Sequence, residues 1–303
     1  SKNGLNTDKN GFRISRKYKN EILNNKKIFV SGASFAAGAE VEDHETWPFF
    51  LEKSLNSRII NSAVGGWDSF QIIQNVLKNY KFVKPNLVII QFTDAIERSK
   101  YKVYSSANKS RYDIIDNSIS LTNYPVKKFI KSDYLKSNDS NLIDQLINMK
   151  IIRAVFNNSL FLYKLQKKIF NSPYGLNFDK VYTKDEKNIF QKNCLLINFL
   201  KKKLDEKNIH LVAIIQHRGD LILRNLNSSQ PLNEKKLEKC LVQSNIEVLN
   251  FWKILQNYYL TNGENEFKKL YKIKNNKYFG HMSKYGNFFV ANKIKEMIDN
   301  SGI

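Results

Sequence analysis

Apolar positions along this chain fall into short blocks whose spacing alternates between the periods of strand and helix. Ile28-Phe29-Val30 is a β-branched and aromatic run that predicts a buried strand, and it breaks at once into the small residues Ser31-Gly32-Ala33-Ser34. Residues 47–55 are apolar at helical spacing, with Pro48 near the start, and predict a helix. Arg58 to Ser62 predicts a second strand, running out through Ala63-Val64-Gly65-Gly66-Trp67-Asp68. Ser69 to Tyr80 places Phe70, Ile73, Val76 and Leu77 on one helical face, and Leu87 to Phe92 is a third buried strand. Three strand–helix units in a row favour a parallel sheet with right-handed crossovers.

From residue 99 to about 182 that rhythm is lost. Tyr112 to Ile115 and Ser118 to Leu121 flank Asp116-Asn117 as a small hairpin, and a helical pattern runs from about Leu142 to Phe170. The section reads as an insertion that caps the sheet edge or makes a dimer contact. The alternation then resumes. Thr183-Lys184-Asp185-Glu186 has the form of a capping box opening a helix to about Glu206. His210 to Gln216 and Ile246 to Phe251 are two more strands, Asn233 to Leu241 is a helix between them, and a closing helix spans about Tyr285 to Ile298. The expected fold is α/β: a three-layer α/β/α sandwich around a mainly parallel five-stranded sheet, flavodoxin-like in type. Residues 1–25 are expected as a loose polar arm with a short helix near Tyr18 to Leu23, and 26–303 as one domain carrying the insertion at about 99–182.

Composition narrows the function. With 303 residues and 42% hydrophobic content the chain can bury a full core. The formal charge of +21 admits nucleic acid or an anionic surface as partner. The lysines, however, are scattered among asparagines, as in Lys272-Ile273-Lys274-Asn275-Asn276-Lys277, with no nucleic-acid motif beside them, so no specific nucleic-acid partner is expected. Two cysteines, Cys194 and Cys240, give no disulfide framework, and Cys194 reads as a small buried hydrophobe. Four histidines without close Cys or His neighbours give no zinc spacing. No apolar run is long enough to cross a bilayer, and the opening SKNGLNTDKNG is not a signal peptide. The expectation is a soluble domain, cytoplasmic or of the cell envelope, with any targeting segment outside this chain; the oligomeric state is left open.

The candidate chemistry lies at the strand ends. A strand that turns through small residues presents the Ser34 hydroxyl at the carboxyl edge of the sheet, where open α/β sheets take their ligands. A helix beginning there sets backbone N–H groups beside it. Gly32-Ala33-Ser34-Phe35 resembles the first sequence block of the SGNH (GDSL-type) hydrolases, and Asn61-Ser62-Ala63-Val64-Gly65-Gly66 their glycine block. Gln91-Phe92-Thr93-Asp94 falls where their GxND block belongs, and Gly280-His281-Met282-Ser283-Lys284-Tyr285-Gly286-Asn287 resembles the terminal histidine block. The four blocks keep the family's order over residues 27–298.

The resemblance implies a serine esterase or O-acyltransferase acting through an acyl-enzyme. Ser34 would be the nucleophile and His281 the general base. The oxyanion hole would comprise the N–H groups of Ser34 and Gly66 and a side-chain donor at Thr93, where the family has asparagine. No cofactor or metal is implied. The partner would be a small-molecule or glycan ester, in particular an O-acetylated carbohydrate, with Trp67 either stacking on a sugar or covering the second helix. Two departures stand out. Ala33 replaces an aspartate of the first block. Tyr278 stands where the carboxylate of the triad belongs, three residues before His281, which leaves Asp94, Glu97 or a more distant acid to orient the imidazole. A catalytically silenced glycan-binding fold is the alternative. His44 is expected in a surface loop, His217-Arg218 as a strand-ending polar cluster or an anion site, and Arg98 as the ion-pair partner of a neighbouring acid.

Overall fold

In a computed structural model the described residues are 6–14, 24–104, 107–115, 118–122, 183–184, 188–274 and 278–303. They divide into two compact units, one of residues 1–99, 112–120 and 188–303, the other of 100–111 and 121–187. The first unit is built on five strands: β1 (Asn24–Gly32), β2 (Ser57–Asn61), β3 (Leu87–Phe92), β4 (His210–Ile215) and β5 (Glu247–Asn250). They are ordered β2-β1-β3-β4-β5 and every neighbouring pair is parallel. That 2-1-3-4-5 order is the flavodoxin-like one, with its switch point between β1 and β3.

Alternation along the strands sorts the core into two layers. Phe29, Val88, Ile90, Leu211, Ala213 and Ile215 face one side, with α1 (Ser69–Val83), α2 (Ile189–Asp205) and α3 (Leu232–Gln243) packed there through Ile73, Val76, Leu196, Leu200 and Leu237. Val30, Ile89, Val212 and Ile214 face the other, against α4 (Trp47–Leu55), α5 (Phe251–Lys269) and α6 (Lys284–Ser301) through Trp47, Leu51, Phe251, Leu255, Val290 and Ile294. A helix–sheet–helix sandwich results.

Local signals placed most of these elements. Thr46 caps α4, accepting from the Phe49 N–H at 3.3 Å, and Asp68 with Gln71 forms a reciprocal capping box on α1. Arg111–Ile115 and Ser118–Thr122 form a two-stranded sheet where the sequence placed a hairpin of Tyr112–Ile115 and Ser118–Leu121. Three expectations need correction. Thr183-Lys184 does not open a helix: it pairs as a strand with Tyr101 and Val103 in the second unit, and α2 starts only at Ile189. β-Branched Thr183 meets a partner strand there, which outweighs its capping tendency. Nor is the whole of 1–25 a loose arm. Arg13 is buried, its N–H donates to the Asn61 carbonyl at 2.8 Å, and through it the segment forms one bridge to the edge strand β2. Finally, Cys194 on α2 and Cys240 on α3 are joined as a disulfide, their Cα atoms 5.6 Å apart. A separation of 46 in sequence gave no sign that the two helices adjoin. The proposed helices near 18–23 and 142–170 lie outside the described residues.

Candidate active site

The first candidate stands where β1 ends. Its last residue, Gly32, has no room for a side chain: a Cβ would lie 2.8 Å from Ala36 Cβ and 2.9 Å from Gln91 Oε1. The chain turns there into a single helical turn, Ser34–Ala37, closed by Gly38 in the left-handed region (φ 70°). Gln91 on β3 braces the turn, since its Oε1 accepts from the N–H groups of Ala33 (3.1 Å) and Ala36 (3.3 Å). Asn61 Nδ2 donates to the Ala36 carbonyl at 2.9 Å. Ser34 is only 8% exposed, and no described residue accepts from its N–H or bonds to its Oγ. The nucleophile candidate is therefore rigidly placed, with its own donor unspent.

The loop after β2 comes alongside. A Cβ on Gly65 would sit 3.7 Å from Ser34 Cβ, so Gly65 and Ser34 are packing neighbours. The loop is held to the first by the Val64 N–H donating to the Gly32 carbonyl at 3.1 Å. Gly66 follows at φ 84°, a conformation that favours glycine. Among the described residues none accepts from its N–H. Trp67 is half-buried against the core on the α1 side, and its carbonyl accepts from Arg98 Nη1 at 3.4 Å. Thr93, just past β3, is buried, with its hydroxyl accepting from Gln91 Nε2 at 2.6 Å. With Gln91 as donor, the hydroxyl proton of Thr93 is turned away from Gln91 and is available to another acceptor.

His281 arrives on a hairpin that the sequence did not suggest, β6 (Tyr271–Lys274) with β7 (Tyr278–Met282), which leads directly into α6. Its ring lies 5.1 Å from that of Phe35, the residue next to Ser34, at an interplanar angle of 58°. No described hydrogen bond joins Ser34 Oγ to the imidazole. Beside the ring is a residue absent from every sequence expectation, Glu40. Its Oε2 accepts from the His281 backbone N–H at 2.9 Å and lies 3.3 Å from His281 Nδ1, while Oε1 pairs with Lys274. The Nδ1 approach is close enough for an ion pair but is not aligned as a hydrogen bond, and Nδ1 is otherwise buried without a partner. The imidazole side chain is 28% exposed, so its accessible edge is the one turned away from Glu40.

Burial and the Glu40 charge pull on the imidazole in opposite directions, with a net lowering of its pKa. Burial, the largest effect, lowers the His281 pKa; the Glu40 charge opposes this, and Lys274 and Arg98 reinforce it. Burial alone would raise the Glu40 carboxyl, but the Lys274 ammonium and the His281 N–H outweigh it and hold the group below the ordinary carboxylate range. Asp94 takes another course: burial raises its pKa against the pull of Arg98, whose Nη2 is 4.0 Å away. Glu97 accepts from Asn233 at 3.0 Å.

His217 turns out to be a core residue and not an anion site. It is 2% exposed, bonds Asn250 Oδ1 through Nε2 at 2.9 Å and packs edge-on against Trp252, while Arg218 pairs with Asp220. Burial pushes its pKa down from 6.5 to about 4. Unfolded chain takes up this proton near pH 6.5 and folded chain only near pH 4, so below pH 6.5 the unfolded state binds more protons and stability falls with falling pH. The loss is absent above about pH 7 and reaches about 3 kcal/mol by about pH 4. Urea unfolding at pH 7 and pH 4.5 should show this increment in the wild type and lack it in His217→Gln.

No protein-family model matches the sequence, and no curated protein matches it. Solved structures similar to the chain include a lipolytic protein of the G-D-S-L family and several esterases. One is a lipolytic protein of the G-D-S-L family from Desulfitobacterium hafniense (TM-score 0.44, 11% identity, covering 90% of this chain and 99% of that one). Another is the acetyl xylan esterase AlAXEase (TM-score 0.47, 12% identity, 90% and 99%). A third is a lipase/acylhydrolase from Enterococcus faecalis (TM-score 0.46, 11% identity, 91% and 96%). Identities this low carry no residue roles across.

Proposed function

We propose that this chain is a serine-type acyl-transferring enzyme, an esterase or O-acyltransferase. Ser34 Oγ attacks the acyl carbon while His281 takes the hydroxyl proton on the ring nitrogen away from Glu40. The N–H groups of Ser34 and Gly66 and the Thr93 hydroxyl receive the oxyanion. Collapse breaks the ester C–O bond, and the departing alkoxide takes the proton from His281, leaving Ser34 acylated. Water or a sugar hydroxyl then attacks the acyl-enzyme, giving its proton to His281, and the bond to Ser34 Oγ breaks as that oxygen recovers a proton. The observation that carries this reading is the Ser34 turn itself: a buried serine at the sheet's carboxyl edge, its own N–H unspent, packed against Gly65 and one residue from the ring that touches His281.

The substrate class we assign is an O-acetylated carbohydrate, with the exposed part of Trp67 as the surface for a pyranose face. Incubating the protein with acetylated xylo-oligosaccharides and with p-nitrophenyl acetate tests both levels. Acetate release from the sugars at a kcat/KM at least tenfold above that for p-nitrophenyl acetate supports the carbohydrate assignment. Turnover of the phenyl ester alone removes the carbohydrate assignment and keeps the enzyme. Binding of the sugars with no acetate released, by Ser34→Ala and wild type alike, would turn the reading to a silenced glycan-binding fold.

A further inference from the structure

Three residues before His281, where the resemblance calls for a carboxylate, stands Tyr278, and a histidine without an orienting acid is a poor general base. The carboxylate is supplied from elsewhere. We propose that Glu40, 241 residues away in sequence, is the positioning residue for His281, doing from the loop after Ser34 what the family's acid does from the histidine's own strand. The inference rests on the serine-type reading above.

Four features of the fold serve this one contact. Glu40 is held at φ 72°, a left-handed backbone conformation that non-glycine residues seldom adopt, and such outliers persist where surrounding structure imposes them. Gly280, next to the histidine, leaves the space the carboxylate fills: a Cβ there would lie 2.3 Å from Glu40 Oε2. The two carboxylate oxygens have separate partners, Lys274 on Oε1 and the His281 backbone N–H on Oε2, which fixes the plane of the group. The oxygen that faces the ring faces Nδ1, the buried nitrogen, at 3.3 Å. A carboxylate at Nδ1 favours the tautomer with the proton there, so that the other ring nitrogen carries the free lone pair a general base needs. Glu40 itself stays ionised throughout and takes no proton. The charged groups acting on the imidazole are Glu40, Lys274 and, from the helix after β3, Arg98.

A simple structural role would show only in stability, so the test reads the imidazole directly. Glu40→Gln and Glu40→Asp are compared with wild type by kcat/KM for p-nitrophenyl acetate as a function of pH, by thermal melting, and by 15N–1H NMR of the His281 ring. Glu40→Gln is expected to lose about 10²–10⁴-fold in kcat with little change in KM, on the scale of a triad acid replaced by its amide. Its acid limb should move to lower pH, because the charge that favours the imidazolium is gone, and its NMR spectrum should lose the single Nδ1–H tautomer. Glu40→Asp should recover part of the rate and the tautomer. A Glu40→Gln protein with wild-type rate and tautomer overturns the proposal even while Ser34→Ala and His281→Ala remain inactive. If no variant or wild type turns over ester, the serine-type reading fails, and the ring spectra alone still decide whether Glu40 fixes His281: an unchanged tautomer overturns it, a lost one upholds it.

Discussion

Ser34→Ala should lower kcat/KM for p-nitrophenyl acetate by about 10⁴-fold or more, to the level of the uncatalysed reaction plus whatever the oxyanion donors still contribute. His281→Ala should do nearly the same, and the double variant should be little worse than either, because nucleophile and base act as a unit. Folding should not obscure the result. The Ser34 hydroxyl makes no described hydrogen bond, and what braces its turn are Gln91 Oε1 on the Ala33 and Ala36 N–H groups and Asn61 on the Ala36 carbonyl. Alanine adds no bulk, so the melting temperature should stay within a degree or two. Steady-state hydrolysis beside a thermal melt decides the matter. Equal rates in wild type and both variants would make the observed turnover background chemistry from surface lysines and would remove Ser34 from the mechanism.

The distribution of what the sequence did and did not reveal follows from how local each determinant is. The Ser34 turn, α4 and α1 carry their own punctuation: a run of small residues, Pro48 behind Thr46, and the Asp68–Gln71 box. Strand β3 is buried along its whole length and reads as an apolar run interrupted only by Gln91, which is why its ends were placed without error. By contrast α5 was missed. It is lysine- and asparagine-rich, its apolar stripe is diluted, and Gly263 interrupts its helical backbone at φ 79°. The hairpin carrying His281 sits in an equally polar stretch, where Lys and Asn hide the two-residue period of Tyr271 and Ile273. Long-range partners were out of reach altogether. Nothing near Glu40 announces that it will meet His281, and nothing near Cys194 points to Cys240. The histidine was legible because a motif surrounds it; its carboxylate was not, because it belongs to another part of the chain.

Arg13→Ala should cost about 3–5 kcal/mol of stability, the largest loss expected from a single residue outside the core. The side chain is 3% exposed, and its Nε donates to Asp43 at 2.6 Å. Nη1 donates to the carbonyls of Ala37 and Gly38, the latter at 2.7 Å, and Nη2 to that of Val41 at 2.9 Å. One guanidinium thus satisfies the carbonyl end of the Ser34 helical turn and closes the loop over residues 37–43. Alanine would leave Asp43 with its Asn6 contacts but without its cation, would strip the Ala37 and Val41 carbonyls of their donor, and would leave the Gly38 carbonyl with only the Val41 N–H at 3.4 Å. Lysine keeps the charge but not the planar fork, so Arg13→Lys should fall between the two. Glu40 lies inside the loop that Arg13 closes, so the same substitution should also lower kcat in protein that is still folded, because the carboxylate beside His281 loses its fixed place. Urea unfolding measures the first effect, and hydrolysis well below the unfolding midpoint the second. A loss under 1 kcal/mol would mean that water replaces the guanidinium at no cost, and the N-terminal segment would then be a covering and not a clamp.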